Sequence, residues 1–327
     1  MDVVREYIKW KEVWSVSKRK IGVLVMSYGT PRSMEEVEAY YTHIRRGNPP
    51  TPEQLNDLIR RYEAIGGIFP LRENTNKQVE ALEQHLNQQA PDDLEFVCFQ
   101  GLKHAQPLIE EGVQAMKKAG IEEGVGIVLA PHYSVMSVGE YIKRAQAEAE
   151  KQGIDMRFVE SYHLHPALIE AFAERVKESL LRFPEEVRDQ VRIIFTAHSL
   201  PKKIVQMNDP YVEQLMATSK TVMYTSKLIN PWQFAWQSAG QTPIPWLGPD
   251  ILEVIKELHE QEQVNHILVA PVGFVSDHLE ILYDLDIEAQ SVAKELGIHL
   301  ERIPSLNVDP RYIQTLTESV LTQLERN

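Results

Sequence analysis

The stretch IIFTAHSLP, residues 193–201, reads as a short strand that runs into a histidine. Its apolar and β-branched residues suit a buried strand, and Pro201 lacks the backbone N–H that further pairing would need. His198 therefore falls at a strand's carboxyl end or on the loop beyond it. An earlier stretch, VLVMSYGTP at 23–31, has the same layout, with Tyr28 where the later one has His198. A second pair also rhymes: IVLAPHYSVMS (127–137) with ILVAPVGFVSD (267–277). Together the two pairs indicate a weak internal duplication.

Outward from these pairs, apolar runs of strand length occur at 21–29, 95–101, 126–134, 155–162, 191–199, 233–239, 266–274 and 298–304. Helix-patterned segments separate them. Ser33 with Glu36 has capping-box spacing; Thr51 with Gln54 repeats it, with Pro52 at the first helical position. Short apolar strands alternating with helices predict parallel sheets covered on both faces. The expected fold class is α/β: two similar Rossmann-like domains, each a parallel four-stranded sheet flanked by helices, with a cleft between them. The expected divisions are an N-terminal extension over 1–20, a first domain over 21–162, a second over 163–308, and a C-terminal helix over 309–327 that packs back on the body. A length of 327 residues exceeds what one core usually serves, in keeping with two domains.

Composition narrows the function. The net charge is −13 and basic residues are scattered apart from two Arg pairs, which argues against a nucleic-acid partner. No apolar run approaches the roughly 18 residues of a membrane span. The first twenty residues mix charges into apolar positions, unlike a secretory signal. A cytoplasmic monomer is the expectation. The single cysteine, Cys98 in EFVCF, allows no internal disulfide or cysteine-held cluster and is expected to be a small buried hydrophobe. No glycine-rich phosphate loop and no H-E-x-x-H motif occurs, so no nucleotide cofactor is implied.

In open parallel sheets, ligands bind beyond the carboxyl ends of the strands. That rule puts Tyr28, His132, His198 and the segment 275–288 around one cleft. Neutral imidazole is a base near neutral pH and a metal ligand, which favours His198. The segment SDHLEILYDLDIE (276–288) carries Glu280, Asp284 and Glu288 four apart. On a helix they would stack on one face and repel one another. Asp277 with Glu280 also fits a helix cap, and Asp284 with Glu288 fits a solvated face. Against the solvated face, Leu279, Ile281, Leu282 and Tyr283 crowd the acids. The row offers hard oxygen ligands for a hydrated divalent cation, with His278 pointing elsewhere. Arg45 and Arg46, and Arg60 and Arg61, lie near helix ends, where the dipole favours cations; an alternative is that one of each pair binds carboxylates in the cleft. Gly29 after Tyr28 permits positive φ or a close backbone approach. Trp246 sits between prolines in WQSAGQTPIPWLGPD (236–250), either as a flat wall of a site or as packing.

The blocks LVMSYGTP, YYTHIRRGNPP, RYEAIGGIFPL, GLKH, VLAPHYS, TAHSLP, WQSAGQTPIPWLGPD and PVGFVSDHLEILYDLDIE together resemble the ferrochelatase family. They are most similar to its short Gram-positive type, which metallates coproporphyrin III. The resemblance runs from about residue 20 to the C-terminus. It implies a lyase-class enzyme of haem biosynthesis that inserts substrate Fe²⁺ into coproporphyrin III and releases two pyrrole protons. It implies His198 and Glu280 on one side of the porphyrin as iron ligands, proton acceptors or both, and Tyr28 on the other. Arg45, Arg61, Tyr62 and Tyr141 match positions that hold propionates or the ring edge, and Trp246 belongs with them. Asp284 and Glu288 match an outward acidic row that relays or stores a divalent ion, such as a second ion, Mg²⁺. Where relatives read Gly-Gly-Ile-Ser-Pro this chain has Phe69, which removes a hydroxyl and offers a ring for packing instead. Alternatives of the same outline are a protoporphyrin IX ferrochelatase, a cobalt chelatase, or a non-enzymatic porphyrin carrier.

Overall fold

The computed structural model describes residues 18–240 and 242–325. Most of the extension expected over 1–20 lies outside them. Eight strands occur among the described residues: β1 (Arg19–Ser27), β2 (Leu94–Leu102), β3 (Glu123–Val128), β4 (Asp155–Val159), β5 (Arg192–His198), β6 (Trp232–Gln237), β7 (His266–Ala270) and β8 (His299–Arg302). They form two four-stranded sheets, ordered β2-β1-β3-β4 and β6-β5-β7-β8, and every pairing is parallel. The second order repeats the first, strand for strand, so the internal rhyme in sequence is a repeat in topology. Most strands stop somewhat earlier than expected, and the two largest differences are at β3, which ends at Val128, and β7, which ends at Ala270. Pro131 and Pro271 explain this, since neither has an N–H for the ladder and both turn the chain into loops that face the cleft.

The helices are α1 (Val37–Ile44), α2 (Pro52–Ala64), α3 (Pro70–Gln89), α4 (Ile109–Lys118), α5 (Val138–Gln152), α6 (Pro166–Leu180), α7 (Tyr211–Ser226), α8 (Ile251–Glu262), α9 (Leu279–Leu282), α10 (Gln290–Leu296) and α11 (Pro310–Glu325), with a π-helical turn at Asp284–Ala289. None is long and apolar enough to cross a membrane. Thr51 and Gln54 form the expected reciprocal cap of α2. Ser33 makes no side-chain cap; Glu36 turns instead to the backbone N–H and guanidinium of Arg32. An adjacent cation outbids a backbone donor for a carboxylate.

One core serves both sheets. Ile21, Val23 and Val25 of β1 and Ile193 and Phe195 of β5 belong to a single buried cluster, completed by Leu168, Phe172 and Val176 of α6 and Tyr312, Leu316 and Val320 of α11. The C-terminal helix α11 packs on α3, α6, β3 and β4. Polar bonds also tie the two sides of the cleft. Asn74 donates to the Asp277 carbonyl at 3.1 Å, and Gln78 donates to Ser276 Oγ at 2.8 Å and the Asn307 carbonyl at 2.7 Å. Ser134 donates to Asp209 at 2.9 Å, and the Tyr133 N–H to Gln214 at 2.7 Å.

Candidate active site

The carboxyl ends of β1, β3, β5 and β7 open into one cleft of about 560 Å³, within the usual size of a small-molecule site. The β1 side is a wall of phenols: Tyr28, Tyr40, Tyr62 and Tyr141. Gly29 places Tyr28 there, with φ at +85° and no room for a Cβ, which would stand 2.9 Å from that of Ala105. Tyr28 keeps 41% of its surface open, yet burial, and then the nearby Glu280 charge, push its hydroxyl pKa above the ordinary value. Tyr62 is buried, donates to or accepts from Thr30 at 3.2 Å, and is pushed up to about 12 by burial. Tyr40 and Tyr141 are raised for the same reason.

The β5 side carries the charge. His198 ends β5 as expected. Its Nδ1–H donates to the Ser199 carbonyl, which turns Nε2 toward Glu280 Oε1 at 3.5 Å. Burial draws the ring toward neutrality, but the Glu280 carboxylate beside it prevails and raises its pKa to about 9. Glu280 is the reciprocal case. Burial favours its acid form, while His198 and His278 hold it well below the usual carboxylate range. The pair therefore holds one proton on the imidazole when the cleft is empty. The backbone behind it is fixed: Tyr211 donates to the His198 carbonyl at 3.1 Å, and Gln237, held by Thr196 at 2.8 Å, donates to the Glu280 carbonyl at 3.1 Å.

His278 corrects the expectation that it points away. Its Nε2 is 3.5 Å from Glu280 Oε2. The residue is extended (φ −158°, ψ −177°) and α9 begins only after it, so helical geometry does not set its direction. The cap reading of Asp277 is not what the structure shows. Asp277 accepts from Ser305 at 2.7 Å and Asn307 at 2.8 Å, with Arg302 at 3.5 Å, and so anchors the loop to the segment after β8.

The acidic row is neither fully helical in the ordinary sense nor solvated. Asp284 is buried, and the Glu288 N–H reaches back five residues to the Tyr283 carbonyl at 2.9 Å. An α-turn takes about 3.6 residues and a π-turn more than four, so a segment mixing both sets every fourth side chain almost directly over the last. Asp284 borders both the cleft and a second, 160 Å³ pocket that holds Glu288 and Asp250. Burial, then Glu280, push its pKa up to about 7 against the pull of Ser238 and Arg61. Burial also raises Glu288.

Arg61 stands 3.6 Å from Asp284 and 2.9 Å from Asp57, with its guanidinium over Tyr283. Arg45 does not line the cleft; it donates to the Asn48 carbonyl at 3.2 Å, with its guanidinium over the ring of Tyr41, which does. Phe69 packs on Tyr62 with ring centres 4.7 Å apart, behind the wall. Trp246 lines the cleft, its ring 6.5 Å from His198 and its Nε1–H on Thr242 at 2.9 Å. His132 lines the cleft but is buried, bonded to Thr218 at 2.8 Å, and lowered to about 3 by burial. Sequence reasoning missed His278, Ser238 and Gln237, and also Lys103, which lines the cleft paired with Glu140 at 2.6 Å. The Lys beside His104 in GLKH was the available signal for the last.

A sequence profile of the family described as Ferrochelatase matches residues 20–324. The chain belongs to the ferrochelatase family. A coproporphyrin III ferrochelatase from Oceanobacillus iheyensis is 47% identical over 306 residues, 94% of this chain and 97% of that protein. Another from Bacillus subtilis strain 168 is 46% identical, covering 95% of this chain and all of the relative. Among solved structures, the sirohydrochlorin chelatase SirB from Bacillus subtilis subspecies spizizenii in complex with cobalt matches with a TM-score of 0.56 at 13% identity, over 94% of this chain and 96% of that one. At that identity the likeness is one of fold. This ferrochelatase-family chain therefore has the two-sheet layout expected from its sequence.

Proposed function

We propose that the chain inserts Fe²⁺ into coproporphyrin III, with His198 and Glu280 as the reacting pair. The observation that carries the reading is this pair, 3.5 Å apart on one wall, facing un-ionised phenols across a cleft of porphyrin size. The porphyrin lies between the walls. Two N–H bonds on its inner nitrogens break, four iron–nitrogen bonds form as the ion sheds its water, and two protons leave per Fe²⁺. Those protons need a base on one face, and Glu280 is ionised there. His198 must first lose the proton it holds, after which its Nε2 can accept a pyrrole proton or contact the substrate iron.

Asp284 and Glu288 lie behind Glu280 and form the approach for the hydrated cation. Arg61 serves this row rather than a propionate, since Asp57 and Asp284 already engage it. It also competes with a resident Mg²⁺ there. The row is read as a path for passing ions. Lys103, by exchanging its exposed partner Glu140 for a substrate carboxylate, and Arg45, which lies beside the cleft-lining Tyr41, supply cations for the substrate, with Tyr141 and Trp246 packing on the macrocycle. Every group invoked comes from one chain, so a monomer suffices. Anaerobic iron insertion, run side by side with coproporphyrin III and protoporphyrin IX, tests the reading. Wild type should turn over the tetracarboxylate faster, and His198→Ala and Glu280→Gln should bind it with turnover reduced at least a hundredfold, as for loss of a positioned base (about 10²–10⁴-fold). Wild-type rates in both variants would remove the pair from the mechanism, and binding without multiple turnover in wild type would make the chain a carrier.

A further inference from the structure

A second pair of imidazoles meets on the outer side of the phenol wall. His43, exposed in the last turn of α1, and His104, half-buried just after β2, bring their Nδ1 atoms to 3.0 Å. The rings meet edge to face, with centres 5.2 Å apart at 74°. A proton on one Nδ1 bonding to the other accounts for that spacing in the metal-free chain. The same spacing is that of two imidazole nitrogens bound to one metal ion at right angles. With metal–nitrogen bonds of about 2.1 Å, such donors stand about 3.0 Å apart, and the exposed His43 need give only about 0.4 Å to reach the tetrahedral spacing of zinc.

Three further observations fit a metal. His104 is held in place: its backbone N–H donates to the Tyr28 carbonyl at 3.0 Å and its ring packs 4.7 Å from the Tyr28 ring. Its ring is half-buried, so it cannot swing freely away from His43. The two cations near it, Lys103 and Arg144, are already engaged, Lys103 by Glu140 at 2.6 Å and Arg144 by both Glu110 oxygens at 2.8 and 2.7 Å.

We propose that His43 and His104 form a bis-imidazole site for a divalent transition-metal ion at the edge of the cleft, separate from the His198–Glu280 centre. Imidazole donors suit zinc, copper, iron and nickel. On binding, the ring that held the shared proton carries it on Nε2 instead, and both Nδ1 atoms ligate. Water fills the remaining positions, so the ion exchanges readily. Because His104 packs on Tyr28, occupancy is sensed at the cleft wall.

The test is titration of Zn²⁺ alone into the substrate-free full chain, wild type and His43→Ala, by calorimetry and by histidine ¹⁵N shifts. Wild type should bind one equivalent more than His43→Ala, and the Nδ1 resonances of both rings should move to metal-bound positions. His43→Asn, which keeps a polar side chain at the exposed position, should lose the same equivalent. Equal stoichiometry in all three proteins, with the His104 Nδ1 resonance unmoved at zinc levels that saturate the rest, would overturn the site and leave a hydrogen-bonded histidine pair.

Discussion

The two walls of the cleft stand at equivalent points of two sheets with the same strand order, yet their chemistry is opposite. β1 runs into Tyr28 and β5 ends at His198, which are matching positions of the repeat. The phenols on the first wall stay protonated because burial raises them all. The second wall holds an ion pair, and behind it an acid row whose Asp284 is pushed up to about 7. Topology fixes where a group faces the cleft, and the residue at the strand end fixes what it does there. A flat substrate between such walls can exchange protons and a cation with one of them only.

Removing the charge should break this contrast most severely. Glu280→Gln takes away the base and also the attraction that raises His198, leaving burial to lower the ring's pKa. Turnover should fall by about 10²–10⁴-fold, the usual range for losing a positioned base. The pH profile should move as well. In wild type, a ring with its pKa raised to about 9 is protonated and blocked below that value, so kcat/KM for iron should climb as pH rises toward about 9. In Glu280→Gln the climb should occur at lower pH. An unmoved profile would mean that the imidazole proton does not gate the reaction.

Weakening the path behind the pair should have a smaller effect. Asp284→Asn removes a carboxylate whose pKa is pushed up to about 7, so it gains its charge across the neutral range. The KM for iron should rise about tenfold, as for loss of a supporting metal contact, with kcat and porphyrin affinity little changed. In wild type that KM should fall as pH rises through about 7, and in Asp284→Asn it should not. An unchanged KM in the variant would reduce the buried row to a structural feature.

The contrast between the walls was partly legible in sequence. Strand count, parallel sheets, the repeat and the placement of Tyr28, His198 and Glu280 at one cleft all follow from local apolar pattern and a topology rule. Strand ends were missed where Pro131 and Pro271 cut the ladder inside an apolar run. His278 was missed because its direction depends on where α9 starts, and a sequence shows helix starts only to within a residue or two. The role of Arg61 could not be read, since Asp57 is four residues away in sequence but Asp284 is brought to it only by the fold. The π-turn has no local signature in DLDIEA.

The mildest change tests the neutral wall itself. Tyr28→Phe keeps the ring that packs on His104 and removes only a hydroxyl. That hydroxyl is held protonated by burial and by the Glu280 charge across the cleft, so it is no base at neutral pH. Turnover should therefore stay within about threefold of wild type, and the pH profile set by His198 should not move. If the oxygen contacts iron only after insertion, the absorption spectrum of the bound product will change while the rate holds. A loss beyond tenfold, or a new limb in the pH profile, would show that the phenol moves a proton or carries iron before insertion. The division into one reacting wall and one inert wall would then fail, and the repeat would have placed working groups at both strand ends.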